Sequence, residues 1–323
     1  MYLIKQYKAD DYTIWNTFVS DSKNGTFLFH RDFMEYHQDR FEDFSLLIFK
    51  DAKLLAVLPA NKVNHQIYSH QGLTYGGLVY SDKLRLSTIL EIFGEMLQFL
   101  DSNNFKQIFI KLIPSIYHTK PAEDLHYILF LVQARLIKRD ALSVIDLRES
   151  VLLYKNRKEG VRRGINHQLV IKEENNLDIF WNQILIPNLR DKHFANPVHT
   201  LQEINMLKSK FPKNIRQFNV YFKDKIVAGT TIFESKNVAH SQYIASSESK
   251  NELGSLDFLH HYLITEIFKE KKYFDFGISN ENQGQNLNQG LSYWKESFGA
   301  STIVQDFYEV ETNRFKLLEN VVI

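Results

Sequence analysis

One carboxylate in the last third of the sequence has a setting that could support proton transfer. Asp275 lies between Phe274 and Phe276, in a short apolar segment that predicts a buried strand. A carboxylate moved from water into apolar surroundings has a raised pKa and can act as a general base. The same position also suits a structural Asp whose oxygens are hydrogen-bonded, and both interpretations remain open.

Further groups able to move a proton precede this strand. Tyr243 and His240 share a predicted strand at 238–245, where either could serve a reacting group. His193 and His199 lie on a polar loop that could contact an acceptor, although a solvated loop fits them equally well. A helix begins after this loop, because Thr200 and Glu203 have the spacing of a capping box.

A basic segment occupies the middle of the chain, between residues 149 and 167. It contains five cations and one central acid, and its partial apolar stripe predicts a helix. Arg162 and Arg163 could hold a diphosphate, because a guanidinium forms two parallel hydrogen bonds to such groups. The alternative is a solvated helix face, which is the usual meaning of a run of charges.

A short phrase occurs twice in the chain. Phe49–Ala56 and Phe222–Ala228 each carry an apolar segment into a short Lys/Asp turn and out again, which is typical of a β-hairpin. Each copy is followed by a third strand, an amphipathic helix and a short strand. The helices are predicted at 84–103 and 255–271, and the short strands at 105–112 and 273–278. This order predicts a duplicated α/β unit with a binding cleft between the halves.

The duplication sets the expected organisation of the chain. We expect an N-terminal unit at 1–148, a basic connecting helix at 149–168 and a C-terminal unit at 169–323. Residues 124–147 are expected to finish the first sheet, and a strand at 303–310 to close the last one. The glycines within 72–77 indicate either close backbone packing or the approach of a ligand.

Composition excludes several classes of protein. The 323 residues carry a net charge of +1, so no bulk field draws the chain to nucleic acid or anionic lipid. The absence of Cys excludes thiolate nucleophiles and disulfides, and the scattered His residues lack metal-ligand spacing, so we expect no metal. We expect no signal peptide and no integral membrane segment, and therefore a cytoplasmic protein.

Four segments resemble one known family. They are the 154–165 run, Pro197–Thr200, Tyr273–Gly277, and Gly290–Gly299, which is similar to a Phe-Lys-x-x-Phe-Gly ending with Trp294 in place of Phe. Together with the element order, they resemble the FemAB-type, double-GNAT acyltransferases over nearly the whole chain. The resemblance implies an α/β fold of the α+β type. Two tandem GNAT-like units would each have a mixed, mostly antiparallel sheet flanked by helices.

The resemblance also implies roles for particular residues. Lys295 corresponds to a cation near the transferring group, and with Asp275 and Tyr243 it forms the expected catalytic set. Gly254 and Ser255 stand where acetyl-CoA-dependent members have a glycine-rich loop whose backbone amides hold pyrophosphate. With Arg162 and Arg163, these two residues form the expected donor site.

The acceptor is expected to contact His193, His199, His30 and Arg31. The resemblance implies an N-acyltransferase that uses acetyl-CoA or another acyl-CoA, with no metal. Its acceptor would be an amino group on a cell-envelope or polysaccharide precursor, such as a small-molecule or a lipid- or nucleotide-linked sugar. One alternative is a peptidoglycan bridge-forming ligase that uses aminoacyl-tRNA, a less expected partner here because the charge is neutral and the long helical arm is missing. Another is a non-catalytic binding module of the same fold.

Overall fold

The structure is a computed structural model that describes residues 1–321 and, apart from residues 192 and 193, their side chains. The chain forms two compact units, one made of 1–140 with 304–323 and the other of 141–303. The strands up to the boundary are β1 (Tyr2–Gln6), β2 (Glu42–Asp43), β3 (Leu46–Lys50), β4 (Lys53–Leu58), β5 (Asn61–Val63), β6 (Gln66–Tyr68), β7 (Val79–Tyr80), β8 (Gln107–Lys111) and β9 (Arg135–Asp146).

The remaining strands follow the boundary within β9. They are β10 (Val170–Glu174), β11 (Ile215–Phe222), β12 (Lys225–Glu234), β13 (Val238–Ser246), β14 (Tyr273–Ile278), β15 (Asn280–Glu281), β16 (Asn286–Leu287) and β17 (Ser301–Glu311). The α-helices are α1 (Tyr12–Asp21), α2 (Arg31–Met34), α3 (Leu86–Ser102), α4 (Asp124–Leu131), α5 (Lys155–Asn166), α6 (Asp178–Phe180), α7 (Ile186–His193), α8 (Leu201–Lys210), α9 (Lys250–Leu253), α10 (Ser255–Tyr262) and α11 (Gln289–Glu296).

The two predicted hairpins are confirmed, and their details coincide. The turns are Asp51–Ala52 and Lys223–Asp224, and all four residues have positive φ, as a two-residue turn of this kind requires. Each hairpin then carries one extra residue, because the register shifts after Ile48–Ala56 in one and after Val220–Ala228 in the other. The repeated phrase therefore encodes the same bulged hairpin twice.

Each unit buries one main helix against its sheets. In the first unit α3 presents Ile89, Phe93, Met96 and Leu100 to the core at the spacing of one helical face. In the second unit α10 continues through a π-helical turn at Leu263–Ile267 and contributes its apolar face to a separate core. The predicted α/β class with mixed, mostly antiparallel sheets flanked by helices is confirmed.

The sheets also show where the sequence analysis was wrong. The second unit pairs β10, β11, β12 and β13 antiparallel, β13 with β14 parallel, and β14 with β9 antiparallel. The strand expected to close this sheet, β17, instead pairs with β8 in the first unit. Such pairing between distant segments leaves no local trace in sequence, since either partner strand satisfies the same apolar pattern.

Candidate active site

The candidate site of the second unit begins where two parallel strands separate. The pairing of β13 with β14 covers three positions and ends at His240–Asp275. Beyond this pair β13 continues along β12 to Ser246, with a bulge that leaves Gln242 without a register partner. Backbone groups of β13 past His240 therefore face a gap between strands, a place where a ligand can approach main-chain donors.

A carboxylate and an imidazole meet at the last paired position. Nδ1 of His240 lies 3.0 Å from Oδ2 of Asp275, and Oδ1 of Asp275 accepts the backbone N–H of Gly277 at 2.7 Å. Asp275 is 0% exposed, whereas His240 is half-buried. With Nδ1 held by the carboxylate, Nε2 is the ring nitrogen left to exchange a proton with a substrate. Asp275, the carboxylate expected to act as a base, is therefore placed to orient the imidazole of His240 as the base.

Lys295 fixes the turn that follows Asp275. It lies on α11, whose N-terminus is capped by the Asn288 side chain, and its Nζ donates to the carbonyl oxygens of Gly277 at 3.0 Å and Ile278 at 2.6 Å. The side chain is buried, and burial lowers the pKa of its ammonium group to about 8, against the opposing influence of Asp275. Gly277 has a φ of +72°, a backbone conformation that glycine adopts without strain.

Tyr243 and His199, predicted from separate segments, form a second buried pair. The Tyr243 hydroxyl lies 2.7 Å from Nδ1 of His199 and accepts the backbone N–H of the same residue at 3.3 Å. Its ring packs edge-on against Trp181, with centroids 5.0 Å apart. Burial raises the pKa of Tyr243 to about 12, so its hydroxyl stays protonated and can donate a hydrogen bond.

The predicted donor residues Gly254 and Ser255 lie inside a contact between two helices. A Cβ on Gly254 would overlap the carbonyl oxygen of Gly160 on α5, and a Cβ on Gly160 would overlap the Asp257 carboxylate on α10. Asp257 also accepts hydrogen bonds from Arg157 at 2.5 Å and from the Trp294 indole at 3.2 Å. α5 therefore packs on the first turn of α10, where Ser255 is completely buried and a side chain at position 254 has no room.

The paired arginines of α5 have different surroundings. Arg163 is half-buried, and its Cβ lies 3.2 Å from the position of a Cβ on Gly254. Arg162 is exposed, as are Lys155 and Lys158 on the same helix. These three exposed cations, called the basic face below, are available to an anionic partner.

The predicted acceptor residues His30 and Arg31 belong to the first unit, and His199 belongs to the second. Arg31 is buried in the first unit, where it pairs with Glu35 and Asp43 and stacks over Tyr7. His30 lies 3.2 Å from the Ser20 hydroxyl, and burial lowers its pKa. The buried ion pairs of Arg31 are those of a residue that stabilises the first unit. The side chain of His193 lies outside the described residues.

The sequence analysis named His240 as one of two candidates on its strand but did not pair it with Asp275. The relevant observation is that His240 lies on the strand parallel to that of Asp275. It did not predict the contact between α5 and α10, although the glycines at 160, 164 and 254 allow the close approach of these helices. Among the described residues no group of three or more His, Asp or Glu side chains could hold a metal ion. No helix in that part of the chain is long and apolar enough to cross a bilayer.

No protein-family model and no curated protein matches the sequence. Solved structures do match. FemX has a TM-score of 0.67 at 11% identity, covering 94% of this chain and 96% of its own. The C-terminal domain of a putative lysylphosphatidylglycerol synthetase from Agrobacterium fabrum has a TM-score of 0.59 at 12% identity, and the match covers 93% of this chain and 91% of that one. A tandem GNAT protein from the clavulanic acid biosynthesis pathway has a TM-score of 0.52 at 9% identity, and the match covers 97% of this chain and 99% of that one. The chain therefore has the FemAB-like double-GNAT fold.

Proposed function

We propose that the protein transfers an acyl or aminoacyl group from an activated donor to an amine, with the chemistry in the second unit. The observation that carries the proposal is the His240–Asp275 pair at the last register position before β13 and β14 separate. The non-catalytic alternative does not explain why an acid–base pair stands at this opening. A fold shared with transferases agrees with the proposal, although function has to be argued from the site.

The protein must do three things for this reaction. The attacking amine must lose a proton, and His240 Nε2 can accept it while Asp275 stabilises the resulting imidazolium. The imidazolium can return this proton to the leaving group of the donor when the tetrahedral adduct collapses. The tetrahedral oxyanion needs donors, and backbone N–H groups of β13 that face the gap are suited to supply them. The turn from Gly277 to Ile278 must stay in place, which Lys295 ensures. Because the donor is already activated, no covalent nucleophile is needed.

The packing of α5 on α10 changes the expected donor. Acyl-CoA was favoured by the resemblance, but the first turn of the helix that would hold its pyrophosphate packs against α5, with Gly254 close to the Gly160 carbonyl oxygen. An ester donor such as aminoacyl-tRNA needs no such site, and the basic face of Lys155, Lys158 and Arg162 offers contacts for phosphates. One structural neighbour bears a name that describes the synthesis of lysylphosphatidylglycerol. We therefore favour an aminoacyl ester as the donor.

The acceptor remains the amino group proposed from the resemblance, on a cell-envelope or polysaccharide precursor carried by a nucleotide or lipid. Tyr243, which donates from a neutral hydroxyl, and His199 are the polar side chains that we assign to its recognition. Their support is the buried hydrogen bond that holds both in one orientation, since a preorganised pair loses little entropy when a substrate binds.

A donor competition tests this function. The protein is incubated with acetyl-CoA, a longer acyl-CoA or mixed aminoacyl-tRNA, each with D-glucosamine and UDP-glucosamine as amines. Because the chain has no Cys, a thiol reagent detects only the coenzyme A that is released. Radiolabelled amino acid lost from tRNA reports the other donor class.

We expect turnover with aminoacyl-tRNA that is lost in His240→Asn and weakened by salt. The double variant K158A/R162A should raise KM for tRNA several-fold. It should also make the dependence of KM on salt shallower, by the amount expected for the loss of about two phosphate contacts. Turnover with acyl-CoA that is unaffected by this variant would reverse the donor assignment. Consumption of no donor above the His240→Asn background would refute the enzyme proposal and favour the binding module.

A further inference from the structure

The first unit contains a strand opening equivalent to that of the candidate active site. There β6 and β8 pair in parallel over three positions that end at Tyr68–Phe109, just as β13 and β14 end at His240–Asp275. The positions beyond these ends are 69–79 in the first unit and 241–245 in the second, so the first unit carries an insertion. The insertion is the glycine-rich segment singled out in the sequence.

This insertion folds back against the opening. A Cβ on Gly76 would overlap the carbonyl oxygen of Ser69, which explains the need for glycine by close packing of backbone on backbone. Ser69 also binds the other strand, because its N–H donates to the Phe109 carbonyl at 2.8 Å and its hydroxyl accepts the Lys111 N–H at 2.9 Å. The segment therefore closes one side of the opening and leaves a pocket.

The pocket has a volume of about 150 Å³ and is open on one side. Aromatic rings form its walls. Tyr68 and Phe109 stack with centroids 4.7 Å apart at an interplanar angle of 10°, and Phe307 comes from β17. A cavity of this size with an apolar lining holds one six-membered ring, as an engineered cavity of about 150 Å³ that binds benzene illustrates.

A cation lies beside these rings. Lys111 lines the pocket mainly with its methylene groups, and its Nζ, just behind them, donates to the Leu73 carbonyl at 2.5 Å and lies 6.0 Å from the Phe307 centroid. Lys138 is also near Phe307, but its ammonium pairs with Asp140 at 2.8 Å. Burial, with the neighbouring charge of Lys138, lowers the pKa of Lys111 to about 8. A negative group on a ligand would relieve this penalty.

From this arrangement we propose that the pocket of the first unit binds a single-ring aromatic acid, with the ring against the aromatic wall and the anionic group at Lys111. The opening is suited to binding and not to chemistry, because an aromatic pair replaces the acid–base pair at the equivalent register position. The proposal does not depend on acyl transfer in the second unit.

Ligand-observed NMR titration of the full chain tests the proposal with three probes of similar size, namely 4-methylbenzoate, benzyl alcohol and benzylamine. We expect the carboxylate to bind with a Kd on the order of 1 mM, the range that fragments of this size reach. Benzylamine should bind at least about tenfold more weakly, because its charge repels Lys111. Equal binding of all three, or of none, would refute the proposal.

Two variants and one control locate the site. Ile137 lies at the pocket mouth on β9, and Ile137→Trp should fill the opening and abolish binding of 4-methylbenzoate. Leu136→Trp is the matched control, because the neighbouring side chain points to the opposite face of the same strand and has a similar exposure. Thermal unfolding should show that both variants are folded. Loss of binding in both, or in neither, would contradict the assigned pocket.

Lys111→Met tests the polar half of the proposal. It should weaken 4-methylbenzoate about tenfold and leave benzyl alcohol within about twofold, since only the charge is removed from a side chain of similar length. An unchanged preference for the carboxylate would overturn the role of Lys111.

Discussion

His240 and Asp275 are partners in the last cross-strand pair before their strands separate, and their side chains are joined across that pair at 3.0 Å. A polar contact at this point has two consequences. The carboxylate is covered by the sheet and shielded from solvent, while the imidazole lies where the gap begins. The strand ending itself therefore positions the candidate base.

Removal of either partner should abolish turnover without unfolding the protein. His240→Asn removes the proton acceptor, and Asp275→Asn removes the charge that stabilises the imidazolium, so each should lower kcat by about 10²–10⁴-fold. The control is His126→Asn, which changes an exposed imidazole in the first unit. Equal activity of all three variants in the donor assay would remove the pair from the mechanism.

Lys295 should make stability depend on alkaline pH. Its ammonium pKa is about 8 in the folded protein and near 10.5 when exposed, so between these values the unfolded chain binds more protons. The free energy of unfolding should therefore rise with pH from about 8 to 10.5, as the penalty for burying the ammonium group is relieved. Below about 8 that penalty is present in full and no longer changes with pH. Urea unfolding at pH 7.5 and 9.5 measures the change.

In the variant Lys295→Met, the free energy of unfolding should rise less between these two pH values than it does in the wild type. The difference should be on the order of 1 kcal/mol. Lys111 has a similarly lowered pKa, so Lys111→Met should remove a separate share of the slope and serves as the comparison. An identical slope in Lys295→Met and the wild type would show that its ammonium is not buried as described.

The glycines of α5 should be intolerant of even a methyl group. Gly160→Ala would press a Cβ into the Asp257 carboxylate, and overpacking of this kind costs about 1–3 kcal/mol. The matched control is Gly94→Ala on α3, where the new Cβ would meet Leu318 at an ordinary 3.6 Å. This control should gain up to about 1 kcal/mol from helix propensity. Urea unfolding should place the two variants on opposite sides of the wild type.

Much of the local structure was readable from the sequence because its signals are local. The helix predicted at 84–103 is Leu86–Ser102, and the Thr200–Glu203 capping box is present, with both of its hydrogen bonds at 2.7 and 3.1 Å. Both hairpins were found because a short polar turn between apolar runs has few other solutions. The site was harder, because its parts come from segments far apart in sequence.

The features that sequence missed depend on which distant surfaces meet. The pairing of β17 with β8 spans about two hundred positions, and no residue in either strand specifies the other. The contact of Gly160 with Gly254 was also unpredictable from sequence. A glycine indicates that another group packs closely against the backbone, but it does not identify that group. Fold class therefore followed from pattern, whereas the packing of α5 on α10 did not.

The Tyr243–His199 pair allows a last test that separates catalysis from architecture. Tyr243→Phe removes the hydroxyl that contacts both Nδ1 and the backbone N–H of His199 and leaves the ring on Trp181, so stability should fall by about 1–3 kcal/mol. If the hydroxyl positions the acceptor, as we propose, KM for the amine should rise several-fold while kcat changes little. A fall of about 10²-fold in kcat at constant KM would instead assign Tyr243 to proton transfer. Unchanged kinetics with lower stability would leave the pair a purely structural role.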